Sequence, residues 1–425
     1  MQFLKLKLPG AYLDAFFYRG HLYLLTEENT LQVLDWNRLI ERVFPAPDRS
    51  GTDPLAAMIL TNNSLAHGRM NPIYWTQYDE FKNILLKNLQ EMSDTVLYPE
   101  ENECNEFDLG PERFHTLELY YSHVWLLGEE SVSYVKTGPG HVKGKCSKLY
   151  RVLDDCACSL GTRAKTLWVM SPDLVHVISI RDISPRRVKV EFGKEKALSV
   201  SANHIGWHWG DVVMTSDFDF QTSIWMQVSR QNVKAQNVMD ADPVYTNREQ
   251  ILEEYFTGQE VPTEKKNSSF YEIALDIGKS QRLYCSRERA VGVSPDHSVQ
   301  AFHWGYDLEL EQNGLSAYTI SNPNAERVLI GTFGWIIEET SGVLLIDKIK
   351  KRRLYKKEPT QVRTFPSAHW YENLVVIVGD EDIEVIAILD YDFLMPKKLQ
   401  DVNIGRKSEY FLDRYRQYST TGGGF

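Results

Sequence analysis

Three features of the sequence predict an all-β fold, a seven-bladed β-propeller with two helical insertions and a short C-terminal extension. An apolar strand, an acidic or Asp/Gly turn and a second apolar strand recur seven times along the 425 residues. Their spacing returns repeatedly to about 43 residues, the length of four short strands plus turns. Aromatic residues make up 12% of the chain, with 22 Tyr and 10 Trp, side chains that a pleated surface accommodates well.

The chain opens on Met1–Leu8, where lysine alternates with apolar residues. That is a strand pattern without the apolar stretch of a signal peptide. The repeats follow at His21–Val33, His123–Val135, Leu167–Ile178, Val212–Trp225, Ala290–Val299, Trp335–Ile346 and Leu374–Ile386. Their turn acids are Glu28, Glu129, Asp173, Asp217, Asp296, Glu338 and Asp380, at successive spacings of 101, 44, 44, 79, 42 and 42. The two long spacings are one period plus insertions of about 58 and 36 residues. Phe3–Leu8 is then expected to be the outer strand of the last blade, closing the ring and hiding its edges. Two β-sandwich domains are the competing architecture, since acidic hairpins occur in any antiparallel protein; the sustained spacing favours the propeller. Over roughly residues 1–392 the repeat resembles the β-propeller superfamily in architecture. It keeps neither the Gly-His…Trp-Asp signature of WD repeats nor the double glycine of kelch repeats, so the resemblance implies no activity. The propeller is assigned to residues 1–400 and the extension, with its Gly-rich end, to 401–425.

The first insertion spans 42–110 and starts with Pro45, Pro47, Gly51 and Pro54. Thr76 is an N-cap candidate for a helix whose apolar stripe is Phe81, Ile84, Leu85, Leu89 and Met92. That face either packs on the propeller rim or forms a partner-binding lobe. Glu100, Glu101, Glu103, Glu106, Asp108 and Glu112 follow with no Lys or Arg between them, as in a solvated loop; a calcium loop would need regular ligand spacing, which is missing. In the second insertion, 235–269, Thr246 and Glu249 match a capping box, Ile251, Leu252, Tyr255 and Phe256 share a helical face, and Gly258 supplies the stop.

The chemistry-bearing residue types form no recognised catalytic pattern: no nucleophile elbow, P-loop or His-Glu-x-x-His occurs. No catalytic residue, cofactor or metal is therefore assigned. Cys156 and Cys158, with Cys146, are the only thiol cluster among five cysteines, and no fourth ligand stands at a usable spacing. The turn acids Glu27, Glu28, Glu129, Glu130, Glu338 and Glu339 are expected at blade tips, in water. Three His-Trp pairs, His208-Trp209, His303-Trp304 and His369-Trp370, should each turn one ring inward and one outward. Core packing is one use of them; a partner surface anchored by Trp209 and Trp304 is the other.

The run Lys348–Lys357 holds seven basic residues in ten. It reads as a protected outer edge of the sixth blade, as a contact for an acidic protein, or as a phosphate contact. The overall charge of −11 argues against a general polyanion binder, so nucleic acid is not expected. Few, odd-numbered cysteines and the absence of any 18-residue apolar run point to the cytoplasm without a membrane span.

Two functions follow as expectations. The first is a non-enzymatic interaction platform, a scaffold docking a partner protein, with Tyr255, Phe256, Lys350, Lys351, Arg352, Arg353, Trp209 and Trp304 as its contact residues. The second is a propeller-fold hydrolase of glycoside or lactone type. Inward carboxylates from three or more blades at one end of the channel would favour it.

Overall fold

The computed structural model describes residues 2–46, 51–62, 89–120, 123–136, 148–155, 157, 159–163, 166–171, 174–184, 189–192, 196–198, 202, 204–208, 211–216, 223–229, 256–262, 268–273, 282–286, 289–304, 310–312, 318–319, 327–331, 333–346, 351–366, 368 and 370–389. Strands dominate them. After β1 (Gln2–Pro9), the first sheet is the meander β2 (Tyr12–Tyr18), β3 (His21–Thr26) and β4 (Thr30–Asp35). The helices α1 (Trp36–Val43) and α2 (Pro54–Leu60) interrupt the chain, then β5 (Thr95–Val96) and β6 (Cys104–Asp108), the latter completing this sheet. The second sheet is β7 (Phe114–Tyr120), β8 (His123–Gly128), β9 (Val132–Lys136) and β10 (Tyr150–Leu153). The third is β11 (Ser159–Arg163), β12 (Thr166–Met170), β13 (Val175–Ser184), β14 (Lys189–Phe192) and β15 (Lys196–Leu198).

The fourth sheet has ten strands. Its first half is β16 (His204–His208), β17 (Asp211–Ser216), β18 (Ser223–Ser229), β19 (Phe256–Pro262) and β20 (Ser268–Ile273), with β20 between β18 and β19. Its second is β21 (Arg282–Ser286), β22 (Arg289–Val293), β23 (Ser298–Trp304), β24 (Leu310–Gln312) and β25 (Tyr318–Thr319). The fifth sheet is β26 (Arg327–Gly331), β27 (Gly334–Glu339), β28 (Gly342–Ile346) and β29 (Lys351–Tyr355). The last is β30 (Gln361–Thr364), β31 (Leu374–Val378) and β32 (Asp382–Leu389), extended by β1 and β5.

The fold is thus all-β, a propeller arrangement of six blades counted as hydrogen-bonded sheets, not seven. The reason lies in one contact. Trp207 of β16 pairs in parallel with Ser286 of β21, so the hairpins β17–β18 and β22–β23, which the sequence assigns to separate blades, share one sheet. Ring closure is formed as expected: β1 runs antiparallel to β32, in register from Gln2↔Leu389 to Pro9↔Asp382. Leu4, Leu6 and Leu8 turn into the core, while Lys5 and Lys7 reach Glu384 at 3.5 and 3.8 Å.

Apolar side chains fill the spaces between neighbouring sheets. One cluster joins the first sheet to the second through Tyr23, Leu25, Leu117 and Leu126, and another joins the fifth to the last through Ile336, Leu345, Val375 and Ile386. The largest cluster lies between the last sheet and the first, and the first insertion belongs to it. Trp36 of α1 is fully buried, stacks edge-on against Phe17 at 4.9 Å and donates its Nε1–H to the Leu60 carbonyl. Leu89 and Met92, the described part of the predicted stripe, are buried in the same cluster, and residues 89–92 are helical. In its described residues the insertion therefore packs on the propeller; Thr76, Phe81, Ile84 and Leu85 lie outside them.

The second insertion departs from expectation. Phe256, assigned to a helical face, opens strand β19, and Gly258, the expected helix stop, lies within it. Partners on β20 decide this: Phe256 faces Ile273 and Val261 faces Phe270, with a bulge between Phe256 and Glu260. Among the described residues the helical ones are α1, α2 and residues 89–92. Residues 246–255, with the capping box and Tyr255, and the C-terminal residues 390–425 lie outside them.

Candidate functional site

Five charged side chains meet where β2, β7, β26, β27 and β30 converge. Asp14 is placed by an irregularity in β2, whose register against β3 shifts between Tyr12 and Asp14. A bulge re-aims the side chain that follows it, and here the carboxylate is delivered between the first, second and last sheets. Its Oδ1 accepts from the Ala15 N–H at 2.8 Å and from Arg363 Nε at 2.9 Å. Its Oδ2 accepts from the Leu117 N–H at 2.8 Å and from Arg363 Nη2. The same Nη2 donates to the Leu117 carbonyl at 2.9 Å, and the guanidinium lies 5.8 Å from the Phe16 ring centroid. One carboxylate and one guanidinium so tie three sheets together.

Around this pair stand Glu118, Arg327 and Glu338. Glu118 Oε2 is 3.7 Å from Arg363 Nη1, and Glu338 Oε2 is 4.0 Å from Arg327 Nη1. Arg327 also donates to the side chain of Gln361. Exposure rises outward: the side chain of Asp14 is 0% exposed, Glu118 21% and Arg327 39%. Burial pushes the Glu118 carboxyl up to about 7; the Asp14 charge adds to this, against the pull of Arg363 and Arg327. Glu338 is raised by burial too, opposed by the same two arginines. Burial draws Arg327 down, with the Arg363 charge helping. For Arg363 burial acts downward, but the charge and hydrogen bonds of Asp14, with Glu118 and Glu338, outweigh it and the net shift is upward.

The turn acids therefore divide. Glu27, Glu28, Glu129 and Glu130 are exposed as expected, whereas Glu338 is half-buried beside Arg327 and Glu339 is fully buried. The acidic stretch divides as well. Glu103 is buried, and Arg42 of α1 holds it with Nε at 2.7 Å and Nη2 at 2.9 Å. Burial alone would raise the Glu103 carboxyl, but these bonds and the Arg38 charge bring it below its ordinary value. Asp155, Ser171 and His176 come together without a signal in the sequence. The Ser171 hydroxyl donates to Asp155 Oδ2 at 2.8 Å, and His176 Nε2 lies 2.7 Å from that same oxygen. Serine and histidine thus share the acid, whereas a hydrolytic triad places the histidine between them.

Among the described residues, Trp304 and the basic residues of the Lys348–Lys357 run do not form one surface. Trp304 is wholly buried in β23, so it is a core residue and no surface anchor, while its neighbour His303 is exposed. Tyr255, Trp209 and Lys350 lie outside the described residues, and Phe256 is a strand residue. The remaining three share β29, the last strand of its sheet. Lys351 is exposed. Arg352 lies over the Phe3 ring at 5.3 Å. Arg353 donates to the Ser341 carbonyl at 2.6 Å and sits 3.8 Å from the buried Glu339 carboxylate. Beyond the strand, Lys356 and Lys357 are exposed, Lys357 being 3.9 Å from Glu381. Among the described residues no three His, Cys, Asp or Glu are placed to hold a metal ion, and no helix is long and apolar enough to cross a membrane. Cys146, Cys156 and Cys158 lie outside them.

No protein-family model matches the sequence, and no curated protein matches it. Several solved structures are similar at low identity. PorZ, a bacterial surface component of the type-IX secretion system of Porphyromonas gingivalis, is 9% identical with a TM-score of 0.43, over 92% of this chain. The chain spans only 39% of the PorZ chain. The Swd1 (Cps50) β-propeller domain of Myceliophteria thermophila is 8% identical over 89% of this chain and 98% of its own, with a TM-score of 0.42. A chain of the S. cerevisiae assembly of Dbp5 with Nup159 and Gle1 is 8% identical over 90% of each chain, with a TM-score of 0.44. Such distant likeness leaves the propeller assignment resting on the sheets themselves.

Proposed function

We propose that the protein is a non-enzymatic interaction platform that docks an acidic protein segment along the outer edge of its fifth sheet, in the reducing environment of the cytoplasm. The observation that supports this reading is the make-up of β29. Among the described residues it ends its sheet, so its edge offers backbone groups that an extended segment can pair with, apart from the Leu354 carbonyl, which accepts from Lys5 Nζ. Exposed Lys351, Lys356 and Lys357 surround that edge with positive charge on a chain of net charge −11. The two arginines are already engaged within the protein, half-buried Arg352 over the Phe3 ring and exposed Arg353 with the Ser341 carbonyl and Glu339. A fluorescent Glu-rich peptide tests the reading. Binding that weakens at least tenfold in the triple variant Lys351→Glu, Lys356→Glu, Lys357→Glu, with a flattened salt dependence, supports it. Binding indifferent to both the variant and salt sinks it.

A hydrolase is the second reading, favoured by one specific observation. Carboxylates from three sheets, Asp14, Glu118 and Glu338, do converge, and Glu118 has a proton affinity suited to acid–base work near neutrality. Against it, both oxygens of Asp14 are already taken by four donors. Turnover of chromogenic glycosides or lactones, abolished in Glu118→Gln, is the result that would promote this reading over the first.

A further inference from the structure

The same cluster carries an inference independent of the platform reading. It holds three carboxyl groups, Asp14, Glu118 and Glu338, against two guanidinium groups, Arg327 and Arg363. Fully ionised, it would carry an uncompensated negative charge among the described residues of a largely buried seam, which is costly. Asp14 is the wrong place to put a proton. All four of its partners are donors, and an added O–H would point at an N–H. Glu118 makes no such set of bonds; it stands 3.7 Å from Arg363 Nη1 and close to the Asp14 charge.

We infer that this seam binds one proton on Glu118 in mildly acidic solution and that losing it around neutrality loosens the joint between the first, second and last sheets. The groups facing Glu118 among the described residues are Asp14 on β2, Arg363 on β30 and Arg327 on β26, with Glu338 on β27 acting on both arginines. Tyr284 on β21 also acts on Arg327. Burial and Asp14 lift the Glu118 carboxyl from 4.5 to about 7. A carboxyl whose folded value lies above its unfolded one contributes stability that is complete below the unfolded value and is lost as pH rises through the folded value. The window of loss therefore runs from about pH 4.5 to somewhat above 7. Ionised Glu118 pulls on Arg363, the residue that grips both Asp14 and the Leu117 carbonyl, so the weakening is local to the seam.

The test compares the full-length protein with Glu118→Gln, whose side chain stays neutral. Melting temperature should fall between pH 5.5 and 8 in the native protein, and the fall should be largely removed in the variant, which should melt higher than the native protein at pH 8. Hydrogen exchange, corrected for intrinsic pH dependence, should speed up over that range in Tyr12–Tyr18 and Gln361–Thr364 but not in Thr166–Met170 of the third sheet. An infrared measurement on the native protein alone guards against a variant that fails to fold. A protonated-carboxyl band that titrates away with a midpoint near 7, shifted by labelling glutamate, supports the inference. A native melting curve that is flat over this range, a pH dependence retained in Glu118→Gln, or loss of every protonated-carboxyl signal by pH 5.5 overturns it. Transfer of the titration to a Glu338→Gln variant instead overturns the assignment to Glu118.

Discussion

Arg363 and Asp14, separated by 349 residues in the chain, are joined by two hydrogen bonds between guanidinium and carboxylate. The pair links the last sheet to the first, and through the Leu117 N–H and carbonyl it also grips the second. A buried ion pair contributes little net stability compared with a well-packed apolar pair, but breaking it from one side strands a charge. Arg363→Met and Asp14→Ala should each cost about 3–5 kcal/mol in denaturant unfolding. Combining Arg363→Met with Asp14→Ala should cost less than the sum of the two single changes. Additive losses would show that the two residues act separately.

Removing Met1–Leu8 takes away the strand that pairs with Asp382–Leu389 and three buried leucines, Leu4, Leu6 and Leu8. Leu6→Ala alone should cost roughly 2–5 kcal/mol, and the deletion more than that. Thermal melting unchanged by the deletion would contradict ring closure by β1.

The basic residues of β29 and of the segment just after it should separate by role. Lys351→Glu and Lys356→Glu, at exposed positions, are expected to leave stability within about 0.5 kcal/mol. Arg353→Glu should destabilise clearly, since it removes the bond to the Ser341 carbonyl and sets a second acid against buried Glu339. Melting temperatures of the three single variants decide this; equal behaviour would place Arg353 with the surface lysines.

Trp304 is fully buried, so Trp304→Ala should cost about 3–5 kcal/mol through the cavity it leaves. An intact melting temperature in this variant would return Trp304 to the surface.

Glu103 behaves in the opposite sense to Glu118. Its carboxyl lies below its ordinary value, so its pairing with Arg42 contributes above the unfolded value of 4.5 and is lost as pH falls through the lower, folded value. Hydrogen exchange in Glu100–Cys104 should accelerate below about pH 4.5, and in Arg42→Met it should be fast at neutral pH as well. Exchange in this segment that ignores both changes would remove the clasp.

The all-β repeat was legible because its signal is local. Apolar runs such as Leu374–Val378 and acidic turns such as Glu129–Glu130 each lie within a few residues, and their spacing is a property of the chain alone. The closing role of Phe3–Leu8 was legible for a similar reason: a lone alternating strand must find an edge, and a ring leaves one. Other features depended on partners remote in sequence. Whether β16 and β21 belong to one sheet turns on a single bridge, Trp207 to Ser286, that no periodicity encodes. Phe256 carries a helical pattern, yet pairing with Ile273 across β20 makes it a strand residue, since tertiary pairing outweighs a short local propensity.

Charge was the least legible of all. From sequence, Glu103, Glu338 and Glu339 look like any other turn or loop acid, and Asp14 carries no signal at all. Their burial depends on Arg42, Arg327, Arg353 and Arg363 arriving from other elements. Hydrophobic pattern is written residue by residue, so the sequence by itself determined strand type, repeat length and the closing strand. The energy of a charge depends on distance and on the surrounding dielectric, both set only when strands far apart in the chain come together. The blade count and the five-membered charge cluster at the seam were therefore decided by the tertiary structure.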